Sequence, residues 1–600
     1  MVDLCLQVRS FVLDSVRRLR SGFKIMVCDA ASSRMLSVAV PFSELLMLEV
    51  YSAESLAALE ATQTPEGSTE PLYKNLDAVV LITPTASSIL QVAKELKHPQ
   101  FRKYHILFTG PVSQSQIERL ARCDVQQLVT NIGYGHVDFL PLAPRLASLQ
   151  VDSFAPLLHT RVADWQAAEY SAVSRVVEGI VALSAAHFDA ERPAVRFVAG
   201  SSASEAIAAQ LSQRYASVTG TGLTSVTSKP ATILLLDRRE DPVTPLLNQW
   251  TYHAMVNELL DVEDNKVTDP DGQSYHISRT DDEFFAEHAL SDFGKIGDAI
   301  TQKVDQYKDK SQGQLKTVDD VRNFMEHLPQ FKENAGTIVK HVAIIHALNR
   351  LVDQRQLLQV SEVEQEIASS ENRAEQLKRV RDLLESDVPA FEKFRVVLLF
   401  FLRYEPDSVV ARELEDGLRA VGVEDDQIKL IAALMDFAGS ARRSHDLFRR
   451  KDIFGAAKNR VVRQIQGVAN VYTQHRSFLH SLLSRLLRKG ISADELQFTG
   501  PGCDGPCGKL LVVVLGGATL EESRDVEQLM VEIRNTDVVL AGTTVLTSRR
   551  FLSDVGTLLL RRPHAPTTNP EQHSAPAEWE ESVFTHVKSQ GHVFSRTSRL

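Results

Sequence analysis

Residues 233–255 read Ile233-Leu-Leu-Leu-Asp-Arg-Arg-Glu-Asp-Pro-Val-Thr-Pro-Leu-Leu-Asn-Gln-Trp-Thr-Tyr-His-Ala-Met255. The stretch opens on Thr232–Leu236, an apolar run without polar alternation, as expected of a strand covered on both faces. Charged residues and prolines stop it, Asp241-Pro242 starts a turn, and Thr251–Leu260 resumes at helical spacing. Two textures meet here. On the N-terminal side, strands and helices alternate. On the C-terminal side, from about 248 to 480, strand signals vanish and helical periodicity runs through Thr251–Leu260, Glu283–Tyr307, Thr317–Glu326, Ala335–Leu358, Gln376–Leu384, Phe391–Tyr404, Lys429–Phe437 and Val468–Arg488.

Strand patterning returns in Lys509–Leu515 and Asp537–Leu540, with the helix Glu521–Glu532 between them. Strands of a parallel sheet need covered neighbours on both faces, so this pair is expected to complete a sheet begun at 140–247. Upstream, Phe23–Cys28, Ala78–Ile82, Tyr104–Phe108 and Gln127–Asn131 read as strands, and Phe42–Val50, Ser87–Leu96 and Ser115–Ala121 as helices. The organisation predicted is α/β plus α: an α/β domain over 1–138, a second α/β domain split between 139–247 and 480–560, and a mostly helical insert over 248–479. The Thr/Glu/Gly/Pro-rich stretch Gln63–Pro71 reads as a surface loop. Residues 561–600, rich in Pro, Ser, Thr and His, read as a loosely ordered tail.

Composition narrows the function. The formal charge of −11 over 600 residues leaves no basic footprint for nucleic acid. The most apolar run, Val396–Leu402, is bounded by Arg395 and Arg403 and is far below the ~20 residues of a spanning helix. Five cysteines suit a reducing compartment better than a disulfide framework. The N-terminus reads as an amphipathic helix (Leu4, Val8, Val12, Val16, Leu19) interrupted by Asp3, Arg9 and Asp14, not as a secretory signal. A cytosolic protein is expected.

Catalytic signatures are incomplete. The acids of Asp237–Asp241 alternate with Arg238 and Arg239, which neutralise them, so no cation site is expected. Leu515-Gly-Gly-Ala-Thr519 follows a strand and opens a helix, but it has neither the P-loop lysine nor a third glycine; its glycines read as close-packing residues. Cys503 and Cys507 lack a second ligand pair at zinc spacing, and His341 and His346 point in different directions. No catalytic residue, metal or cofactor is expected, which favours a binding protein.

The run Ile233–Met255, continued by Glu258-Leu-Leu260, resembles the signature of the SM family, the syntaxin-binding regulators of SNARE-mediated membrane fusion. The resemblance extends to about Gly556. Within the family, Val360–Glu366, Gly467–His475, Leu515–Thr519 and Leu540–Val545 are most similar to the branch serving trans-Golgi and endosomal transport. It implies an arch-shaped, three-domain protein that grips a Qa-SNARE, helps the SNARE complex assemble together with a vesicle R-SNARE, works as a monomer, and reaches membranes only through its SNARE.

Three surfaces follow from the resemblance. Ile117, Leu120, Val129 and Ile132 match an apolar pocket for the syntaxin N-terminal peptide, with Tyr134 standing where some relatives carry a carboxylate. Asp29 and Arg34, in the loop after the first strand, match positions facing the central syntaxin cleft. In the helical hairpin at about 325–370, Pro329 matches a hinge and Val342 an apolar contact for the R-SNARE. The signature residues Asp237, Arg238, Asp241, Pro242, Pro245 and Trp250 take a structural role, with Trp250 anchoring the first helix of the insert. The rival readings are an SM protein of the plasma membrane, Golgi or vacuole, and a nucleotide-dependent α/β enzyme using Gly516-Gly517.

Overall fold

The computed structural model describes residues 2–62, 73–188, 193–218, 231–312, 318–369, 371–445, 447–448, 475–489, 496–499, 508–533 and 536–560. The expected loop at 63–71, the pair Cys503 and Cys507, most of Gly467–His475 and the 561–600 tail lie outside the described residues.

The first sheet is entirely parallel. Strands β1 (Lys24–Cys28), β2 (Val50–Ser55), β3 (Tyr73–Ile82), β4 (Phe101–Phe108) and β5 (Val129–Tyr134) run in the order β2-β1-β3-β4-β5. Helices α1 (Leu4–Arg17), α2 (Ala30–Ala39), α3 (Phe42–Met47), α4 (Leu56–Thr62), α5 (Ala86–Lys97) and α6 (Gln114–Cys123) accompany them. The two-residue period sorts the strand side chains. Met26, Cys28, Val79 and Leu81 pack in one core with α1 and α2, while Ile25, Val27, Val80, Ile106 and Phe108 pack in another with α5 and Leu120 of α6. Burial on both faces explains why these strands read as continuous apolar runs.

The second sheet is assembled from distant segments. β6 (Leu140–Ala143), β7 (Leu146–Ser148), β8 (Ala194–Phe197) and β9 (Ala231–Asp237) precede the helical region. Within that region a small antiparallel sheet is formed by β10 (Asp261–Glu263), β11 (Lys266–Thr268) and β12 (Ser274–His276). After it come β13 (Gln497–Thr499), β14 (Lys509–Leu515) and β15 (Asp537–Gly542). The seven strands of the large sheet run β13-β8-β9-β14-β15-β7-β6. β14 lies parallel between β9 and β15, in register from Lys509↔Ala231 to Leu515↔Asp237. The edges are antiparallel, β13 on β8 and β6 on β7.

Four features differ from the sequence reading. β2 was hidden by its amphipathic alternation beside α3. The segment after β1 is the helix α2, capped by Asp29, and not a loop. The 248–480 region holds β10–β12, whose three-residue polar strands are too short to leave a period. Thr317–Glu326 and Ala335–Leu358 belong to one helix, Val318–Gln354, whose backbone runs on through Pro329 and Gly336.

The signature segment ties these parts together. Asp237 accepts hydrogen bonds from Ser201 Oγ (2.7 Å), from the Arg239 backbone N–H (2.9 Å) and from its guanidinium (2.6 Å). Arg238 donates to Glu522 on the helix Leu520–Glu532 (2.6 Å), both groups being buried. Asp241 accepts from the backbone N–H of Thr244 and of Phe478 (3.0 and 2.9 Å), and Pro242 and Pro245 are buried. Asn248 and Trp250 carry the chain onto the helix Leu357–Ser369: Asn248 N–H donates to Glu364 (2.9 Å) and Trp250 Nε1 to Ser361 Oγ (3.0 Å). Glu364 in turn takes Arg395 (2.5 Å) of the helix Ala390–Tyr404, buried from Glu392 to Leu402. Asp237, Arg238 and Glu364 each meet an opposite charge, and Asp241 is met by backbone N–H and hydroxyl donors, so the buried charges are compensated.

Candidate functional site

The sequence-predicted peptide pocket falls on the open edge of the first sheet. Ser113 and Gln116 form a reciprocal capping box that starts α6, and Gln116 Nε2 also donates to Pro84 O (2.9 Å), fixing the helix to the end of β3. Asp124 ends the helix and accepts from the N–H groups of Leu128 and Val129 (2.8 and 3.0 Å), setting the turn into β5. β5 pairs with β4 only, through Ile132↔Ile106 and Tyr134↔Phe108. Ile106 and Phe108 share a core with Leu120, so Ile132 and Tyr134 project on the α6 side of the sheet.

The four candidates divide in burial. Leu120 is 1% exposed and belongs to the core; Val129 is half-buried against it; Ile117 and Ile132 are 36% and 41% exposed. The arrangement is an apolar ledge over a packed base. Tyr134, which stands from sequence at the pocket's rim, is exposed with its ring edge-on to His136 at 5.9 Å, and the alternation Ile132-Gly-Tyr134 puts it on the same face as Ile132. Such a ledge accepts an apolar side chain, and the unpaired edge of β5 leaves backbone groups for an extended peptide.

Of the cleft pair, Asp29 requires correction. Asp29 is 7% exposed and its carboxylate is hydrogen-bonded inside the protein: Oδ1 caps α2 at Ser32 N–H (2.8 Å), and Oδ2 accepts from Thr83 N–H (2.8 Å), Thr83 Oγ1 (2.6 Å) and Ser88 Oγ (2.7 Å). Arg34, on α2, donates through Nε to Asp264 (2.8 Å) in the β10–β11 turn, and Asn265 Nδ2 of that turn donates to Val38 O (3.2 Å). Asp29 thus holds the molecule's own parts together, whereas Arg34 bridges to Asp264 with a side chain that is still 42% exposed.

The helical hairpin is present as Val318–Gln354 and Leu357–Ser369, joined through Gln356 at positive φ. Val342 is exposed one helical turn from the more exposed Val339, whereas the Pro329 side chain lies outside the described residues. The hairpin is rooted by His341, which is fully buried and bonds Tyr252 Oη through Nδ1 (2.7 Å) and Asp282 through Nε2 (2.9 Å), with Lys340 Nζ also on Asp282 (2.5 Å). Burial alone would raise the Asp282 carboxyl, but the His341 and Lys340 bonds hold it at about 2. His341 was dismissed as a metal ligand from its spacing; its role as a buried pin was not legible.

The glycine loop after β14 is filled from within. Gly516 and Gly517 have φ of +93° and +102°, and a Cβ at either would stand 2.7 Å from Arg238 Cβ or 2.6 Å from Leu546 Cγ. The N–H groups of Gly516, Gly517 and Ala518 donate to Thr543 Oγ1, Val514 O and Thr544 O. Glu522 already caps the following helix through Thr519. A phosphate would compete with all of these. Among the described residues no group of three or more His, Cys, Asp or Glu side chains is placed to hold a metal ion.

The described residues thus form two α/β sheets, the second interrupted in sequence by a helical insert, with an apolar ledge at the edge of the first. The profile of the Sec1 family matches residues 24–554, and the chain belongs to that family. It is 31% identical to human vacuolar protein sorting-associated protein 45 over 568 residues, covering 92% of this chain and 96% of the relative. It is likewise 31% identical to the Arabidopsis thaliana homologue over 550 residues, 89% and 94% of the two chains. Among solved structures, the SM protein Vps45 in complex with the Qa SNARE Tlg2 aligns with a TM-score of 0.79 at 28% identity, over 92% of this chain and 98% of that one.

Proposed function

We propose that this chain is an SM-type regulator that binds a syntaxin-type Qa-SNARE and promotes SNARE-complex assembly for vesicle docking and fusion in trans-Golgi and endosomal transport. The observation that carries the proposal is the end-to-end likeness to Vps45 proteins, one of which is solved with a Qa-SNARE bound. The ledge of Ile117, Val129 and Ile132, floored by Leu120 and flanked by Tyr134, receives the SNARE's N-terminal peptide. The exposed Val339–Val342 face of the hairpin receives a vesicle R-SNARE, with Pro329 as its hinge. The protein acts as a monomer and by differential affinity: it shifts its SNARE between conformations only as far as it binds one better than the other. It makes and breaks no covalent bond and needs no cofactor; the filled glycine loop supports this. It resides in the cytoplasm and takes its address from the SNARE it holds.

The test is calorimetric titration against a panel of Qa-SNARE cytoplasmic regions. Tightest binding to an endosomal or trans-Golgi member is expected. Preference for a plasma-membrane member would reassign the transport step, and indifference to the whole panel would refute the proposal.

A further inference from the structure

The segment Arg17-Arg-Leu-Arg-Ser-Gly-Phe-Lys24 carries four basic and no acidic residues in a chain of net charge −11. It links α1 to β1 and lies at the rim where the parallel strands of the first sheet begin, opposite the rim that holds Asp29. The rim is fixed in place. Gly22 N–H donates to Glu49 Oε2 (2.5 Å), Lys24 N–H to Glu49 O (2.9 Å), and the buried Lys24 Nζ to Gly22 O (2.7 Å). These bonds set the 17–24 segment against the α3–β2 connection, and the two together expose an unusual set of side chains. Met47 is 83% exposed, Phe23 57% and Tyr51 56%, the two rings meeting edge to face at 4.7 Å. Arg17 is paired with Asp14, while Arg18 and Arg20 are exposed and make no ion pair among the described residues.

Exposed apolar and aromatic side chains on a rim whose linking segment adds two unpaired arginines, against the single half-exposed carboxylate of Glu49 held by Gly22 and Lys24, suit one kind of surface, where the rings enter the interface and the guanidiniums meet phosphates. We propose that this rim, Phe23, Met47 and Tyr51 with Arg18 and Arg20, docks on an anionic membrane surface. The charge complementarity is local and runs against the sign of the whole chain, which keeps the remaining surface away from the bilayer and so orients the molecule. Each basic side chain near an anionic leaflet gives about a fivefold gain in partitioning, so the contact is weak by itself and adds to attachment through a SNARE. It stands independently of which SNARE is bound.

The full-length chain, with no SNARE present, would be sedimented with vesicles of phosphatidylcholine containing about one-third phosphatidylserine, and with phosphatidylcholine alone. Binding to the anionic vesicles only, weakening as salt rises, is expected. Arg18→Glu/Arg20→Glu and, separately, Phe23→Ser/Met47→Ser should each lower partitioning at least tenfold, with unchanged circular dichroism and thermal midpoint, since all four side chains are exposed. No binding at low salt, equal binding by either variant, or binding matched by soluble polyglutamate without dependence on Phe23 and Met47 would overturn the proposal; the last outcome would point to an acidic protein partner instead.

Discussion

Ile117 and Leu120 lie one helical turn apart on α6 and should behave as opposites. Ile117 is at the surface, so Ile117→Arg adds an exposed charge to the ledge and leaves the fold intact. An apolar peptide side chain seated there would then bury an unpaired guanidinium, and we expect titration with a Qa-SNARE N-terminal peptide to show affinity reduced by at least tenfold. Unchanged affinity would remove the ledge from the function. Leu120→Ala instead leaves a hole in a closed core and should cost about 2–5 kcal/mol in denaturant unfolding. Asp29 offers the complementary case. Asp29→Ala deprives Ser32, Thr83 and Ser88 of their acceptor, and about 2–4 kcal/mol of stability should go with it. Once the variant is assayed well below its midpoint, SNARE affinity should be unaltered; a selective affinity loss in a fully folded variant would restore Asp29 to the binding surface.

At the scale of elements, the glycine turn after β14 illustrates what a sequence discloses. The missing lysine and third glycine weakened the P-loop reading without removing it, and the close packing against Arg238 and Leu546 accounts for both glycines. Gly517→Ala puts a Cβ into Leu546 at a left-handed φ, and a loss of about 2–4 kcal/mol is expected by thermal unfolding; a neutral result would mean that the turn re-forms. Strands β1, β9 and β14, and the second halves of β3 and β4, were legible because burial on both faces makes them largely apolar. β2 and β10–β12 were not, since half-exposed or three-residue strands carry too few side chains to declare a period. The ledge was legible as a helix–strand pair at one sheet edge, but its depth was not: periodicity cannot separate Leu120 in the core from Ile117 at the rim. The Asp29 and Arg34 contacts are set by what the folded chain brings opposite them, Thr83 and Asp264, and nothing local in sequence announces either.

At the scale of the molecule, buried ionisable groups give stability a definite pH dependence. Burial holds His187 at about 4 and His253 at about 3, the latter also repelled by Arg279. Both are depressed below the ordinary imidazole value, so the stability tied to their neutrality is present above pH ~6.5 and drains as the pH falls; between about pH 7.5 and pH 5 the two remove on the order of 4 kcal/mol. Asp282, held at about 2 in the fold, acts in a lower window: its contribution of about 2 kcal/mol persists above pH ~4 and is lost as the pH falls through about 2. A thermal midpoint that falls steadily from neutral to mildly acidic pH is expected, flattened in His253→Phe if that variant folds; a flat wild-type profile would contradict this burial. The order β9-β14-β15-β7 has a further consequence during synthesis. While the ribosome is still making the first five hundred residues, β9 waits with one edge unpaired, and hundreds of residues of helical insert emerge before its neighbour exists. A nascent or prematurely terminated chain ending before Lys509 therefore displays an open, largely apolar strand, which makes the second sheet dependent on late synthesis and intolerant of truncation before β14.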